Sequence, residues 1–321
     1  MPLMYLKLFT YYLFVFLCAF FIYKKFIPIF KKRLVDLPNK RSSHVNPTPT
    51  SGGIIFTFLT TLISLINGNL INLISLPISI VGFIDDIKNI KPIYRYFSQL
   101  ITIILIMAIN SFSNNYLSLL INRYLILIPI IIFLLSGLIN FINFMDGIDG
   151  LVGGCMLVIF IFISININNS YWPLIPTLLA FLIFNWSPSK IFMGDSGSLF
   201  LGSIYATALI QSPTSTALIK LIFVGAPLFL DSIICIIKRA IAKQNIFSPH
   251  KSHLYQRLVS AGYSHSKVSS LYILSTILVS FIASYFGYKL LILSALFIFF
   301  IGIILDKYFA IAFHESIVKK I

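Results

Sequence analysis

The chain has 321 residues, of which 58% are hydrophobic and only 10% charged, with a mean hydropathy of +0.96 and a formal net charge of +15. That balance excludes a soluble globule with an ordinary polar surface, so lipid must be the solvent for much of the chain. Nucleic-acid binding would need a soluble basic domain, and the sequence has none. The positive charge therefore reads as attraction to anionic head groups and phosphorylated substrates.

Apolar runs predict membrane helices over roughly 5–23, 52–67, 70–84, 98–112, 125–142, 151–167, 173–186, 198–211, 217–237, 268–286 and 290–305. Several of them reach the roughly 20 residues that a helix needs to cross the hydrocarbon core. No alternating strand pattern occurs, so the expected fold is all-α, a polytopic transmembrane helix bundle of about eleven spans forming a single domain over 1–321. The count becomes ten if Gly68 is a kink instead of a loop. The first span reads as an uncleaved anchor. With the N-terminus outside, only Lys7, Arg123, Lys220 and Lys289 of the 24 Lys and Arg residues fall on the outer side, which fixes the expected orientation. Cys18, Cys155 and Cys235 lie in apolar spans without CxxC spacing and read as small hydrophobes, so neither a disulfide nor zinc is expected.

The nine acidic residues are the informative ones, because every loop aspartate falls on the side assigned as cytoplasmic. Asp85 and Asp86 end the third span in GFIDDIKNIKPIYR. Neighbours on a helix point about 100° apart, so the two carboxylates have separate jobs or approach one metal-bound phosphate from two directions. In NFINFMDGIDGL, Asn140, Asn143, Asp146 and Asp149 recur every three residues and are expected to form one polar stripe, suited to a hydrated divalent cation and a nucleoside. In FNWSPSKIFMGDSGSLFLG, Asp195 sits in a turn where Gly194, Ser196, Gly197 and Ser198 free backbone N–H groups near a helix start, an arrangement that favours phosphate. The segment 238–267 carries SPHKSHLYQRL, whose His250, His253, Lys251 and Arg257 suit a diphosphate or sugar. Asp231 lies inside the ninth span, where a carboxylate is costly; a structural ion pair toward Lys238 and Arg239 and a catalytic role are both open. Asp36, Asp306 and Glu315 read as plain loop residues.

Taken in order, DLPNKRSSHVNPTPTSGG, the Asp85–Asp86 pair, NFMDGIDGL, FMGDSGSLFLG and the histidine loop resemble the polyprenyl-phosphate N-acetylhexosamine-1-phosphate transferases of glycosyltransferase family 4, over residues 36 to about 258. The resemblance implies an integral-membrane phosphotransferase. It would move N-acetylhexosamine 1-phosphate from a UDP-amino sugar to undecaprenyl phosphate, releasing UMP and initiating a cell-surface glycan. It implies that Asn143 and Asp195 hold Mg²⁺, with Mn²⁺ as a substitute, and that Asp149 binds uracil while Phe192 stacks on it. Asp146 would support the nucleotide, Asp85 and Asp86 would orient or deprotonate the lipid phosphate, and His250, His253 and Arg257 would contact the sugar phosphate. Asp85, Asp86 and Asp195 are the implied catalytic set. A phosphate monoester with a second pKa near 6 is largely dianionic at neutral pH, so positioning is favoured over proton abstraction for Asp85. The location implied is the bacterial inner membrane with cytoplasmic catalytic loops; a homodimer is left open.

The HKSH form of the histidine loop, with RSSH upstream, leans toward initiators using deoxy amino sugars such as N-acetylfucosamine or N-acetylquinovosamine, although Thr50 and Ser51 before Gly52 depart from that subgroup. Two alternatives stand beside this reading. One is the phospho-N-acetylmuramoyl-pentapeptide transferase activity of the same family. The other is a membrane transporter, which would instead gather its polar groups at the bilayer midplane and show internal repeats.

Overall fold

The computed structural model describes residues 2–38, 46–111, 115–245 and 250–314. Lys40, Arg41 and the RSSH run, together with Glu315, Lys319 and Lys320, fall outside the described residues. The rest is nearly all helical. In chain order the helices are α1 (Pro2–Arg33), α2 (Gly53–Ile66), α3 (Ile71–Ile74), α4 (Leu76–Lys88), α5 (Pro92–Asn110), α6 (Tyr116–Arg123), α7 (Leu127–Met145) and α8 (Leu151–Asn166). They continue as α9 (Leu174–Asn185), α10 (Gly194–Ile210), α11 (Ser215–Val224), α12 (Ala226–Ile241), α13 (Leu254–Ser260), α14 (His265–Tyr285) and α15 (Tyr288–Tyr308). Two two-residue strands, β1 (Val35–Asp36) and β2 (Thr48–Pro49), pair antiparallel.

The apolar runs predicted from the sequence fall on helices, with 70–84 divided between α3 and α4 and 217–237 between α11 and α12. Among the described residues, five helices are long and apolar enough to cross a membrane: α1 from Leu6, then α5, α7, α14 and α15. The α11–α12 pair makes a sixth if read as one span bent by 68°. The bend falls at Gly225, directly before Pro227 in the first turn of α12, where the missing proline N–H and the lack of a glycine side chain both weaken a continuous helix. α2, α8 and α9 are apolar but shorter. Gly68 lies in a turn at φ +73° after α2, so it marks a loop. Large apolar side chains such as Phe9, Phe14, Phe133, Leu274 and Phe300 stand exposed on α1, α7, α14 and α15. A water-soluble monomer does not carry so extensive an apolar surface, and this is a membrane protein.

α10 is the axis of the bundle, buried continuously from Ser196 to Ile210. Lipid is as apolar as leucine, so helices in it associate through close backbone approach and satisfied polar groups. α10 uses both. A Cβ added at Gly53 of α2 would lie 2.2 Å from Gly197 Cα, and one added at Gly82 of α4 would lie 2.5 Å from the Asp195 carbonyl oxygen. The hydroxyls of Ser198, Thr207 and Ser212 return to the carbonyls of Gly194, Ser203 and Ala208 one turn back, so they bury no open donor. Ser79 donates across to the Ser196 carbonyl at 2.6 Å.

Where α7 stops decides the shape of the site. The helix ends at Met145, with Asp146 already outside helical geometry, and α8 begins only after Gly150, which is left-handed at φ +75°. The expected single stripe from Asn140 to Asp149 is therefore divided: Asn140 and Asn143 lie on α7, and Asp146 and Asp149 sit in the turn beyond it. The glycines at 147 and 150 outweigh the three-residue repeat. Replacing Gly82 by Val should cost roughly 1–3 kcal/mol of overpacking. It should lower the midpoint of thermal unfolding in detergent, whereas a midpoint equal to wild type would contradict the close α4–α10 contact.

Candidate active site

The carboxylates of three separate motifs converge where the end of α4, the end of α7 and the start of α10 meet. A pocket of about 430 Å³ opens there, lined among others by Asp86, Asn143, Asp146, Asp149, Phe192 and Asp195. Its floor is built by the backbone. Gly52 N–H donates to the Phe192 carbonyl and Phe192 N–H to the Pro49 carbonyl, at 2.8 and 2.7 Å, so the segment preceding α2 is laced to the one preceding α10.

Asp85 and Asp86 do have separate partners. Asp86 turns to the start of α10, accepting from Asp195 N–H at 2.8 Å and Ser196 N–H at 3.4 Å. Gly194 makes this approach feasible, since its φ is +72° and a Cβ there would sit 2.3 Å from Asp86 Oδ2. The Ser196 N–H, one of those expected to await a phosphate, is thus already taken by a carboxylate. Asp85 pairs with Arg95 of α5 at 3.0 Å, and Arg95 also pairs with Asp195. Asn143 joins Asp195 through a 2.9 Å hydrogen bond and donates to the Ser198 hydroxyl at 2.8 Å, so the two residues expected to share a cation are side by side.

The electrostatics follow from this crowding. Burial, with the Asp195 charge behind it, pushes the Asp86 carboxyl up to about 7. Burial and then the charges of Asp195, Asp86 and Asp149 push Asp146 up to about 8. Asp85 is raised as well, by burial and by Asp195, with Arg95 pulling the other way. Asp149 behaves oppositely. Burial acts to raise it, but the hydrogen bond and charge of His265 at 3.2 Å, with the Ser189 N–H at 3.3 Å, hold it below the usual carboxylate value. Carboxylate and amide oxygens gathered from Asp86, Asn143, Asp146 and Asp195 are hard donors, the chemistry of a Mg²⁺-type site, so the residues present fit such an ion.

His250, His253 and Arg257 of the histidine loop do not line this pocket. His253 is 2% exposed and its Nδ1 lies 3.5 Å from Asp231 Oδ1. Burial acts to lower the His253 imidazole, but Asp231 and then Cys235 outweigh it and raise it to about 9. Asp231 also accepts from the N–H groups of Leu254 and Tyr255, at 2.8 and 3.1 Å, and from the Tyr272 hydroxyl at 2.7 Å. A carboxylate of α12 therefore caps α13, and the ion pair considered with Lys238 or Arg239 is instead made with His253. Lys238 and Arg257 both pair with Asp306, which is thus no plain loop residue. Arg257 is 3% exposed and also donates to the carbonyls of Ser252 and Ile311. The structure buries His253 and Arg257 against Asp231 and Asp306, and stacks His250 on His253 at 5.1 Å between ring centroids. What α13 presents to the pocket is Gln256.

Sequence reasoning passed over four residues here. Arg95 closes the same motif as the aspartate pair and was counted only as a basic residue. His265 opens α14 far from any motif, and Gln256 follows the histidines. Asp36, read as a plain loop residue, lines the pocket beside β2.

Comparison with known proteins identifies the family. The model of glycosyl transferase family 4 matches residues 70–213. A probable undecaprenyl-phosphate N-acetylglucosaminyl 1-phosphate transferase of Bacillus subtilis is 31% identical over 256 residues, 72% of this chain and 71% of the relative. The chain belongs to glycosyl transferase family 4. A phospho-N-acetylmuramoyl-pentapeptide-transferase of Clostridium perfringens is 31% identical over 267 residues, 74% of this chain and 83% of its own length. An undecaprenyl-phosphate alpha-N-acetylglucosaminyl 1-phosphate transferase of Thermotoga maritima is 27% identical over 71% of this chain and 75% of its own length. Membership of the transferase family removes the transporter alternative.

The raised Asp146 has a consequence for stability. Its carboxyl has an ordinary value of 3.8 and in the fold keeps its proton to about pH 8. Its contribution to metal-free stability is therefore full below about pH 4 and is lost as pH rises through about 8. Thermal unfolding of chelator-treated protein in detergent should show a midpoint falling across that window, and Asp146→Asn should flatten the fall. Identical slopes for the two proteins would contradict the crowded, like-charged setting of Asp146.

Proposed function

We propose that this transferase moves an N-acetylhexosamine 1-phosphate from a UDP-activated amino sugar to undecaprenyl phosphate, yielding the undecaprenyl-diphosphate sugar and UMP. It would do so at the cytoplasmic face of a bacterial inner membrane, with the N-terminus outside and ten or eleven spans, as the distribution of Lys and Arg suggests. One observation carries the reading: aspartates from three motifs, Asp86, Asp146, Asp149 and Asp195, line one polar pocket together with Asn143 and Phe192. The named activities of the relatives support it. Their names favour N-acetylglucosamine over the deoxy amino sugars suggested by the HKSH loop.

In the transfer, an oxygen of the lipid phosphate attacks the sugar-bearing phosphorus of the donor, and the bond to the bridging oxygen of UMP breaks. The obstacle is repulsion between two anions. A Mg²⁺ ion held by Asp195 and Asn143 would supply charge neutralisation on the diphosphate. Arg95 adds a fixed cation beside Asp85 and Asp195. Asp149, held ionised, accepts the N3–H of uracil, and Phe192 offers its ring to the base. Asp86 keeps α10 in place through its bonds to Asp195 and Ser196, and Asp85, paired with Arg95, aligns the incoming phosphate without needing to remove a proton. His253 and Arg257 hold α13 so that Gln256 faces the donor.

The test is UMP release by purified protein given Mg²⁺, undecaprenyl phosphate and, one at a time, UDP-GlcNAc, UDP-GalNAc, UDP-N-acetylfucosamine, UDP-N-acetylquinovosamine and UDP-MurNAc-pentapeptide. UMP should appear only with both lipid and one amino-sugar donor, and turnover with the pentapeptide donor alone would establish the second activity of the family. Asp195→Ala should abolish turnover in protein that remains folded in the membrane; wild-type rates would sink the metal assignment. Phe192→Ala should raise the donor KM about tenfold, in line with a stacking contribution of roughly 1–3 kcal/mol per base. An unchanged KM would remove Phe192 from the nucleotide site.

A further inference from the structure

The proposed transfer leaves one cluster of reactive side chains unused. Cys235 is buried on α12, His253 is the buried residue directly before α13, and His250 lies three residues upstream, half-buried. One ligand-capable atom from each of the three lies within 4.8 Å of the others. The thiol was set aside in the sequence because no second cysteine stands near it, and linear spacing could not show that the fold carries it to the histidine loop. The donors are a sulfur and two imidazoles, softer than the oxygen donors of the aspartate pocket, and they suit a borderline-soft ion and not Mg²⁺.

A second feature is independent of the cluster itself. The Nδ1 of buried His253 has the Asp231 carboxylate behind it, with Oδ1 at 3.5 Å, and the His253 side chain also accepts from the Gln256 N–H in a capping box. Asp231 is in turn fixed by two α13 N–H groups and by the Tyr272 hydroxyl. A carboxylate behind one ring nitrogen is the device that orients a metal-ligating imidazole and leaves its other nitrogen for the ion.

We infer that Cys235, His250 and His253 form a binding site for one zinc-type divalent ion, with Asp231 orienting His253. Metal–sulfur and metal–nitrogen bonds of about 2.3 and 2.1 Å place tetrahedral ligand atoms roughly 3.5 Å apart, so the three side chains close by about an ångström on binding. The fourth position falls to water. Binding displaces the thiol proton and any proton on the imidazoles to solvent. The ion ties the residues preceding α13 to α12 and so fixes the helix that carries Gln256 to the pocket. This site is separate from the aspartate pocket, and its test does not use turnover.

The full-length protein in detergent, stripped with a chelator, is titrated with Co²⁺. A thiolate-to-cobalt charge-transfer band in the near ultraviolet should appear with the visible absorption of tetrahedral cobalt, saturate at one equivalent and disappear when Zn²⁺ is added. Cys235→Ala should lose the near-ultraviolet band, the double variant Cys18→Ala/Cys155→Ala should keep it, and His250→Ala should weaken cobalt binding at least about tenfold. No thiolate band in the wild type, or a band that survives Cys235→Ala, overturns the proposal. X-ray absorption of the zinc-loaded wild type needs no variant: one sulfur with imidazole nitrogens is the expected shell, and a shell without sulfur overturns it.

Discussion

The Asp86 carboxylate, laid across the first turn of α10, is the contact on which the site depends. It accepts the N–H groups of Asp195 and Ser196, satisfying two donors that a helix start in an apolar bundle would otherwise leave open. The same contact fixes where Asp195 points, because the α10 backbone can approach α4 only through Gly82 and can meet the carboxylate only at Gly194. From that anchor Asp195 reaches Asn143 on one side and Arg95 on the other, and the ends of α4, α7 and α10 become one wall.

The same device recurs at α13. Asp231 of α12 accepts the N–H groups of Leu254 and Tyr255, so a second carboxylate pins a helix start from a neighbouring helix. Its surroundings differ. Asp86 stands among other carboxylates and is pushed up to about 7, whereas His253 and Tyr272 converge on Asp231. One aspartate thus stands in a cluster of carboxylates that Arg95 partly offsets, and the other belongs to a compensated cluster that holds a scaffold helix beside it.

Much of this was legible in the sequence. Apolar runs located the helices because a spanning segment has no other way to satisfy its backbone, and the scarcity of acidic residues pointed to the pocket. Helical geometry gave Asp85 and Asp86 either separate jobs or two approaches to one phosphate, and the fold gives them separate partners. The errors came where tertiary contacts override local pattern. A three-residue repeat from Asn140 to Asp149 looked helical, but glycines 147 and 150 end the helix before its second half. The Ser196 N–H looked open, but Asp86 comes from another helix to occupy it. Arg95, His265 and Asp306 gained partners that no spacing rule connects, and Cys235 met the histidines only through the packing of α12.

The central claim is that the aspartate pocket binds the nucleotide half of the donor, and the most direct measurement is photo-crosslinking with a UDP-sugar carrying an azide on the uracil ring, followed by peptide mapping. The account predicts label on the segments around Asp149 and Phe192, reduced by excess UDP-sugar and by Phe192→Ala. Label concentrated instead on other segments of the chain, with none on those two, would contradict it.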